Sequence, residues 1–325
     1  MSPRPSTSSA AGFFSSPPPS VAVEITGTRV TAVSLAEQGG TRVVSAYATA
    51  PLPVGAVEPA LNTVNVHNTA ALAAAIKDVL DKAAARVRRI ALVLPDTVAK
   101  VSLIRFEKIP ARGQDLEQLI QWQVRKAAPF RVEDALVAWQ PGIDVAGAGR
   151  EYVVTVARKD IIQSYERACE AAGVHAGLID LASFNVMNAM LAAFGSQPQG
   201  DWLLVHVAPD YWTLVVVRGG TLVFFRNRAS SGDADLADLV HQTAMYHEDR
   251  LGGGGFSRVI LAGASVQGAE LAERLRRALE ERIGIRVEPI DFRAAASMRD
   301  RISAGPDLLD TLTPSIGILL RERVA

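Results

Sequence analysis

Residues 21–33 read VAVEITGTRVTAV, an apolar strand, a polar turn and a second apolar strand. The same arrangement returns in residues 202–217, which read WLLVHVAPDYWTLVVV. Two short apolar runs separated by turn residues are typical of an antiparallel hairpin. Because one chain contains this unit twice, the sequence predicts two similar lobes with a cleft between them.

The segments that follow the two hairpins also match each other. A third strand is predicted at 41–51 and a helix at 69–86, where apolar residues recur at helical spacing. The second hairpin is likewise followed by a strand at 221–227 and a helix at 233–250. The order strand, strand, strand, helix, seen twice, predicts a duplicated α/β fold with mixed sheets.

Composition narrows the class of protein. The chain has 325 residues, enough for two lobes with cores of their own. Lys+Arg and Asp+Glu are 34 each, so the basic excess typical of nucleic-acid binding is absent and no nucleic-acid partner is expected. The one cysteine, Cys169, excludes a disulfide within the chain and argues against a cysteine-based zinc site. The sequence has no apolar run of the roughly 18 residues that a membrane span needs.

Several segments together resemble a known fold family. The twin hairpins, VILAGA at 259–264 and PSIGILL at 314–320 resemble the actin-like, ribonuclease H-like fold of ATPases such as actin and FtsA. Within it, the order of elements resembles the PilM-type proteins of type IV pilus assembly, which are related to the cytoplasmic part of GspL in type II secretion. The most specific segment is 114–130, QDLEQLIQWQVRKAAPF, a helix that ends in a proline-containing turn.

The resemblance implies an α/β fold of the duplicated actin-like type, bilobal, with mixed sheets and a small inserted α/β domain. Residues 21–96 and 176–198 would form the first lobe, 97–175 the inserted domain and 199–325 the second lobe. Residues 1–20 are rich in serine and proline, and we expect them to form a disordered tail.

In this family the turns of the two hairpins and a third turn beside the adenosine bind ATP. The resemblance therefore implies ATP as a possible cofactor. It places candidate binding residues in all three turns. They are Glu24, Thr26, Gly27 and Thr28 in the first turn, His206, Ala208 and Asp210 in the second, and Gly263 in the third.

The sequence departs from the family in these turns. Glu24 is longer than the usual aspartate, and Thr26 brings a Cβ where the family has a glycine. In the second turn His206 replaces the acid, while Ala208 replaces the glycine and precedes Pro209, which has no N–H. Magnesium prefers hard oxygen ligands, so His206 is a poor substitute. We therefore expect a degenerate nucleotide cleft with a doubtful Mg²⁺ site, and we do not expect an enzyme.

Some of these residues also have purely structural interpretations. Glu24 could be a solvated carboxylate at the end of a strand, and His206 a satisfied histidine at the lobe interface. A set of apolar residues in the insert could anchor an extended peptide or could fill the core of the small domain: Leu116, Ile120, Trp122, Val124, Phe130 and Trp139.

The resemblance implies a cytoplasmic scaffold that is peripheral at the inner membrane. It would bind the N-terminal peptide of a PilN-type membrane protein in a groove of the first lobe near the inserted domain, and would reach the membrane through that partner. An ATP-binding or hydrolysing actin-like protein and a filament-forming FtsA-like protein remain alternatives. A homo-oligomer and a role in type II secretion also stay open.

Overall fold

The computed structural model describes residues 19–83, 85–110, 112–145, 147–195, 199–230, 233–299 and 304–321. The predicted tail 1–20 lies outside this part of the chain except for its last two residues. Among the described residues, no helix has the length and apolar character needed to cross a membrane.

The strands and helices follow the predicted order closely. The strands are β1 (Val21–Ile25), β2 (Arg29–Gln38), β3 (Thr41–Pro51), β4 (Arg89–Leu94), β5 (Ala99–Phe106), β6 (Ala135–Val145), β7 (Gly149–Arg158), β8 (His175–Leu181), β9 (Asp201–Val207), β10 (Tyr211–Arg218), β11 (Thr221–Ala229), β12 (Phe256–Ala262), β13 (Val287–Pro289) and β14 (Ser297–Met298). The helices are α1 (Thr69–Lys82), α2 (Gly113–Ala127), α3 (Lys159–Ala171), α4 (Ala182–Phe194), α5 (Asp233–Leu251), α6 (Ala269–Ile283) and α7 (Pro306–Leu320).

Two mixed sheets show the predicted duplication. The first has the strand order β14-β3-β2-β1-β4-β8, and the second has the order β11-β10-β9-β12-β13. In both, the hairpin strands pair antiparallel, and the first strand of the hairpin pairs parallel with the strand that follows the helix. Strands β1 and β9 are buried along their whole length, as expected for central strands covered on both faces. The duplicated α/β fold class is thus confirmed.

A smaller sheet with the order β5-β7-β6 lies in sequence between β4 and β8, two neighbouring strands of the first sheet. Helix α2 covers one face of it, and their shared core includes Ile120, Val124, Tyr152 and Val154. Helix α3 follows directly but packs on α1, where Tyr165 joins the core of the first lobe. The range 97–175 therefore stays a prediction for the inserted domain. Helix α3 lies within this range but packs on the first lobe.

The last described helix returns to the first lobe. Helix α7 packs on α4 and on strands β1, β2 and β4, and Ile316 lies fully buried in the core there. A Cβ at Gly317 would lie 1.7 Å from the carbonyl oxygen of Asn185, so only glycine permits this approach of α4 and α7. Although the range 199–325 was predicted as the second lobe, α7 packs its apolar side chains mainly into the first.

Candidate functional site

A cavity of about 380 Å³ lies between the two lobes. Every residue that the sequence placed at a nucleotide site lines it: Glu24, Thr26, Gly27, Thr28, His206, Ala208, Asp210 and Gly263. The structure therefore brings together three turns that are far apart in the chain. Arg29, Tyr211 and Asp310, which the sequence did not single out, also line this cleft.

In the first turn, several backbone N–H groups are hydrogen-bonded within the turn itself. The hydroxyl oxygen of Thr26 accepts the N–H of Arg29 at 3.1 Å and the N–H of Thr28 at 3.3 Å. The N–H of Thr26 donates to the carbonyl oxygen of Arg29 at 2.9 Å. Two amides of this turn that could otherwise face an anion, those of Thr28 and Arg29, are thus hydrogen-bonded to the Thr26 side chain.

The second turn has the same backbone arrangement as the first. The N–H of Ala208 donates to the carbonyl oxygen of Tyr211 at 2.9 Å, as that of Thr26 does to Arg29. Pro209 has no N–H to offer, and Asp210 lies at the exposed rim of the cleft. The hairpins also pair in equivalent register, since Glu24 lies opposite Thr31 and His206 lies opposite Thr213.

The third turn is occupied by a carboxylate of the protein itself. Asp310 of α7 accepts the N–H of Gly263 at 2.7 Å and the N–H of Ser265 at 2.8 Å. Burial has the largest effect and raises the pKa of Asp310 above its ordinary value, although these two hydrogen bonds act to lower it. Gly263 has φ +82°, and a Cβ there would lie 2.3 Å from the carbonyl oxygen of Val207. A glycine is therefore required where strands β9 and β12 end side by side.

Glu24 is buried in the cleft wall, with 5% of its surface exposed. Its Oε2 lies 3.5 Å from Nη2 of Arg29. Burial raises the pKa of Glu24, although Arg29 and His206 both lower it. The interpretation of Glu24 as a solvated carboxylate is therefore wrong. Within the described part of the chain, no three histidine, cysteine or acidic side chains are grouped as metal ligands.

A buried polar cluster, which we call the Asp96 network, joins the two lobes below the cleft. It consists of Asp96, Ser183, His206 and Thr213. The carboxylate of Asp96 accepts the N–H of Ser183 at 3.0 Å, the hydroxyl of Thr213 at 2.6 Å and the hydroxyl of Ser183. Nδ1 of His206 lies 2.8 Å from Oγ of Ser183, and the N–H of Asp96 donates to the hydroxyl of Tyr211 at 3.4 Å.

This network supports the structural interpretation of His206. The histidine is 7% exposed and hydrogen-bonded across the lobe interface, as a satisfied interface residue would be. Ser183 stands between the acid and the histidine and is fully buried, which is not the geometry of an activated nucleophile. No local sequence pattern singles out Asp96, because its partners lie 87 and 117 residues further along the chain.

A second concave feature, the lateral groove, lies between the three-stranded sheet and the first lobe. It has a volume of about 290 Å³. Strands β6 and β8, which are edge strands of their respective sheets, both contribute to it. Its apolar lining includes Trp139, Leu178, Phe184 and Met187. Asp180 also lines it, and its carboxylate lies 3.3 Å from the guanidinium of Arg321.

The apolar residues of the insert fall into two groups. Leu116, Ile120 and Val124 are buried in the core of the small domain and Phe130 packs against it, as the core-filling interpretation requires. Trp122 is 50% exposed on α2, with the ammonium of Lys126 over its ring, and Trp139 is 37% exposed beside the lateral groove. Trp139 is thus the one member of the predicted set that lines the groove.

Two repeated lobes around a cleft are the arrangement of the actin-like ATPase fold, and the chain has this fold. The chain is similar to a Bacteroides thetaiotaomicron protein with this fold and unknown function, at 11% identity, over 93% of this chain and 95% of that one, with a TM-score of 0.53. It is also similar to the ethanolamine utilization protein EutJ of Carboxydothermus hydrogenoformans, at 11% identity over 94% and 90% of the chains, with a TM-score of 0.50.

The family follows from a sequence model and a further structural match. Residues 22–250 match the family described as type IV pilus assembly protein PilM, and the chain belongs to this family. It is also similar to a chain of a PilM-PilN type IV pilus biogenesis complex, at 19% identity over 93% of this chain and 96% of that one, with a TM-score of 0.76. The family named from the sequence is thereby confirmed.

Proposed function

We propose that this protein is a scaffold of type IV pilus assembly that holds an extended N-terminal peptide of a PilN-type membrane protein in the lateral groove. The observation that carries the proposal is the position of the groove between two sheet edges, β6 and β8. An edge strand presents backbone N–H and C=O groups that an extended peptide can pair with. The protein would work at the cytoplasmic face of the inner membrane and reach it through this partner.

The side chains of the groove suit such a peptide. Trp139, Phe184 and Met187 offer apolar contacts for side chains that point into the groove. Aromatic residues in such positions often supply a large share of binding energy. The pair of Asp180 and Arg321 places charge at the same groove, so a bound peptide would meet both an apolar surface and a polar one.

The interlobe cleft favours a function in binding a partner over a function in ATP hydrolysis. In all three turns, backbone amides that could face phosphate are hydrogen-bonded within the protein, by Thr26, by the second turn itself and by Asp310. Phosphoryl transfer depends on electrostatic stabilisation by such donors and by metal ions. We therefore propose that the cleft is degenerate. The ATP-binding alternative requires a rearrangement that frees these donors.

A direct binding measurement tests the peptide proposal. The probe is a fluorescently labelled synthetic peptide of the cytoplasmic N-terminal segment of the PilN-type protein encoded in the same genome, followed by anisotropy. Ala138 is exposed and lines the groove, so Ala138→Arg puts a charged side chain into it without disturbing a core. We expect wild type to bind the peptide and Ala138→Arg to bind at least about tenfold more weakly, which corresponds to about 1.4 kcal/mol.

The matched control is Ala74→Arg, the same change at an exposed position on α1 outside the groove. This variant should bind the peptide as wild type does. No binding by wild type, or equal binding by wild type and Ala138→Arg, would contradict the assignment of the peptide to the lateral groove.

A further inference from the structure

The Asp96 network spans both lobes and is buried, with only His206 reaching the cleft. Asp96 follows β4 and Ser183 lies in the first turn of α4, both in the first lobe. His206 is the penultimate residue of β9 and Thr213 lies in β10, both in the second lobe. Asp96, Ser183 and Thr213 have no exposed surface at all. The polar link between the lobes therefore rests on one buried carboxylate and the donors around it.

The first turn of α4 belongs to this network and to the lateral groove at once. Ser183 points into the network, and its backbone N–H, one of the free donors of a helix start, is satisfied by Asp96. The neighbouring Phe184 and, one turn later, Met187 line the groove. Asp180, three residues before Ser183, lines it as well. A shift of Ser183 would thus move the inner wall of the groove.

Helix α7 makes a second connection between the same two places. Near its start, Asp310 binds the third turn of the cleft in the second lobe. Directly after its last residue, Arg321 pairs with Asp180 in the groove. Two separate elements therefore join the lobe interface to the groove.

Opening of the lobes is unfavourable in this arrangement. It would remove Thr213 from Asp96 and His206 from Ser183, and a buried carboxylate that loses donors is strongly destabilised. In a nucleotide-dependent protein of two lobes, a ligand between the lobes would supply this closing interaction. Here side chains of the chain itself supply it, beside turns in which several backbone donors are already hydrogen-bonded within the protein.

We propose that the Asp96 network is a positioning device that takes the place of a bound nucleotide: it keeps the lobes closed and thereby holds α4 and the lateral groove in the shape that binds the partner peptide. This inference rests on the proposed function of the groove. Asp96, Ser183, His206 and Thr213 are positioning residues in it, since they act on the peptide only through α4.

The test removes one hydroxyl and restores it. Thr213→Val keeps the shape of the side chain but loses the donor to Asp96, whereas Thr213→Ser keeps the donor. The matched control is Thr31→Val, because Thr31 holds the equivalent position in the first hairpin, is fully buried and has no hydrogen-bond partner among the described residues. Hydrogen exchange of the amides of residues 178–190 and the Kd of the labelled PilN-type peptide are measured on all four proteins.

We expect Thr213→Val to exchange faster at 178–190 and to bind the peptide at least about fivefold more weakly, the effect of losing one charge-assisted hydrogen bond. Thr213→Ser and Thr31→Val should resemble wild type in both measurements. Addition of ATP with magnesium should leave the exchange of wild type unchanged. If Thr213→Val does not fold, Ser183→Ala replaces it, because this change removes the Ser183 hydroxyl that donates to Asp96 and keeps the backbone N–H that also donates to it.

Three outcomes would overturn the inference: unchanged exchange at 178–190 in the variant, unchanged peptide affinity despite faster exchange, or protection of 178–190 by ATP. These results are separable from failure of the proposed function. If wild type binds no peptide, the peptide assignment fails, and the exchange data alone still decide whether the network positions α4.

Discussion

The side-chain oxygen of Thr26 accepts the backbone N–H of Arg29 at 3.1 Å, inside the turn of the first hairpin. A residue that follows a strand and precedes a turn can satisfy the turn with its own hydroxyl, as serine and threonine do in local turn motifs. In this chain the consequence is specific, because the satisfied amide lies in the wall of the interlobe cleft.

The first prediction concerns the stability of this turn. Thr26→Gly removes the acceptor of two backbone amides and should lower the free energy of unfolding by about 2 kcal/mol, from the lost hydrogen bonds and the added freedom of glycine. Thr28→Gly is the control, since Thr28 is exposed and makes no side-chain hydrogen bond among the described residues; it should cost about 0.5–1 kcal/mol. Urea unfolding measures both, and equal losses would contradict the role given to the Thr26 hydroxyl.

The second prediction concerns nucleotide. A fluorescent ATP analogue is titrated against wild type with and without magnesium. We expect no binding tighter than roughly 100 µM, equivalent to about 5.5 kcal/mol, and no dependence on magnesium, because each of the three turns has backbone amides that are already hydrogen-bonded within the protein. Micromolar binding that requires magnesium would show that the turns rearrange, and it would refute a degenerate cleft.

The third prediction concerns the two equivalent threonines of the hairpins. Thr213 donates to Asp96, whereas the buried Thr31 hydroxyl has no partner in the described structure. Thr31→Val should therefore raise the free energy of unfolding by about 1 kcal/mol, since it removes an unsatisfied buried hydroxyl at nearly constant volume. Thr213→Val should lower it by about 2 kcal/mol. Changes of the same sign in the two variants would contradict the hydrogen-bond assignment.

The fourth prediction concerns Gly263. Its φ of +82° and the carbonyl oxygen of Val207 at 2.3 Å from an added Cβ both oppose a side chain. Gly263→Ala should lower the free energy of unfolding by at least about 3 kcal/mol, from backbone strain and forced displacement of β9. Gly40 has φ +79° with open space around it, so Gly40→Ala isolates the strain and should cost about 1–2 kcal/mol. Thermal unfolding of the two variants, with wild type beside them, measures the difference.

The sequence predicted the parts of this fold that are encoded locally. Each hairpin is a continuous run with its own turn, so the duplication could be inferred from two short segments, and the family resemblance then implied that the turn residues line one cleft. The return of α7 to the first lobe could not. The apolar residues of PSIGILL show that the helix is buried, but they do not show which lobe buries it.

The environment of polar residues at strand ends was the hardest feature to predict from the sequence. Asp96 follows an apolar strand and a proline, a position where an aspartate is ordinarily a solvated turn residue. Glu24 was open to the same interpretation. Burial of both depends on the opposite lobe, whose residues are distant in sequence, so local patterns carry no information about it. Only the packing of the two lobes shows that one carboxylate joins them and that the other is desolvated.

The last prediction concerns the pH dependence that Glu24 brings. Burial raises its pKa above the ordinary value of 4.5, although Arg29 and His206 oppose this shift. The folded protein therefore binds the proton of Glu24 more tightly than the unfolded chain does. Between the unfolded and the folded pKa, stability falls as pH rises, and above the folded pKa the loss is complete and constant.

Glu24→Gln removes this titration. The stability of the variant relative to wild type should increase as pH is raised from about 4 and then level off, since only wild type ionises a desolvated carboxyl there. Urea unfolding at a series of pH values measures the difference. Glu288→Gln is the control of opposite sign: hydrogen bonds from Arg258 lower the pKa of Glu288, so this variant should lose stability relative to wild type as pH rises. The loss should be small, because the pair is partly exposed and screened. A Glu24→Gln difference that is flat with pH, or that falls as pH rises, would mean that Arg29 compensates the buried charge in full.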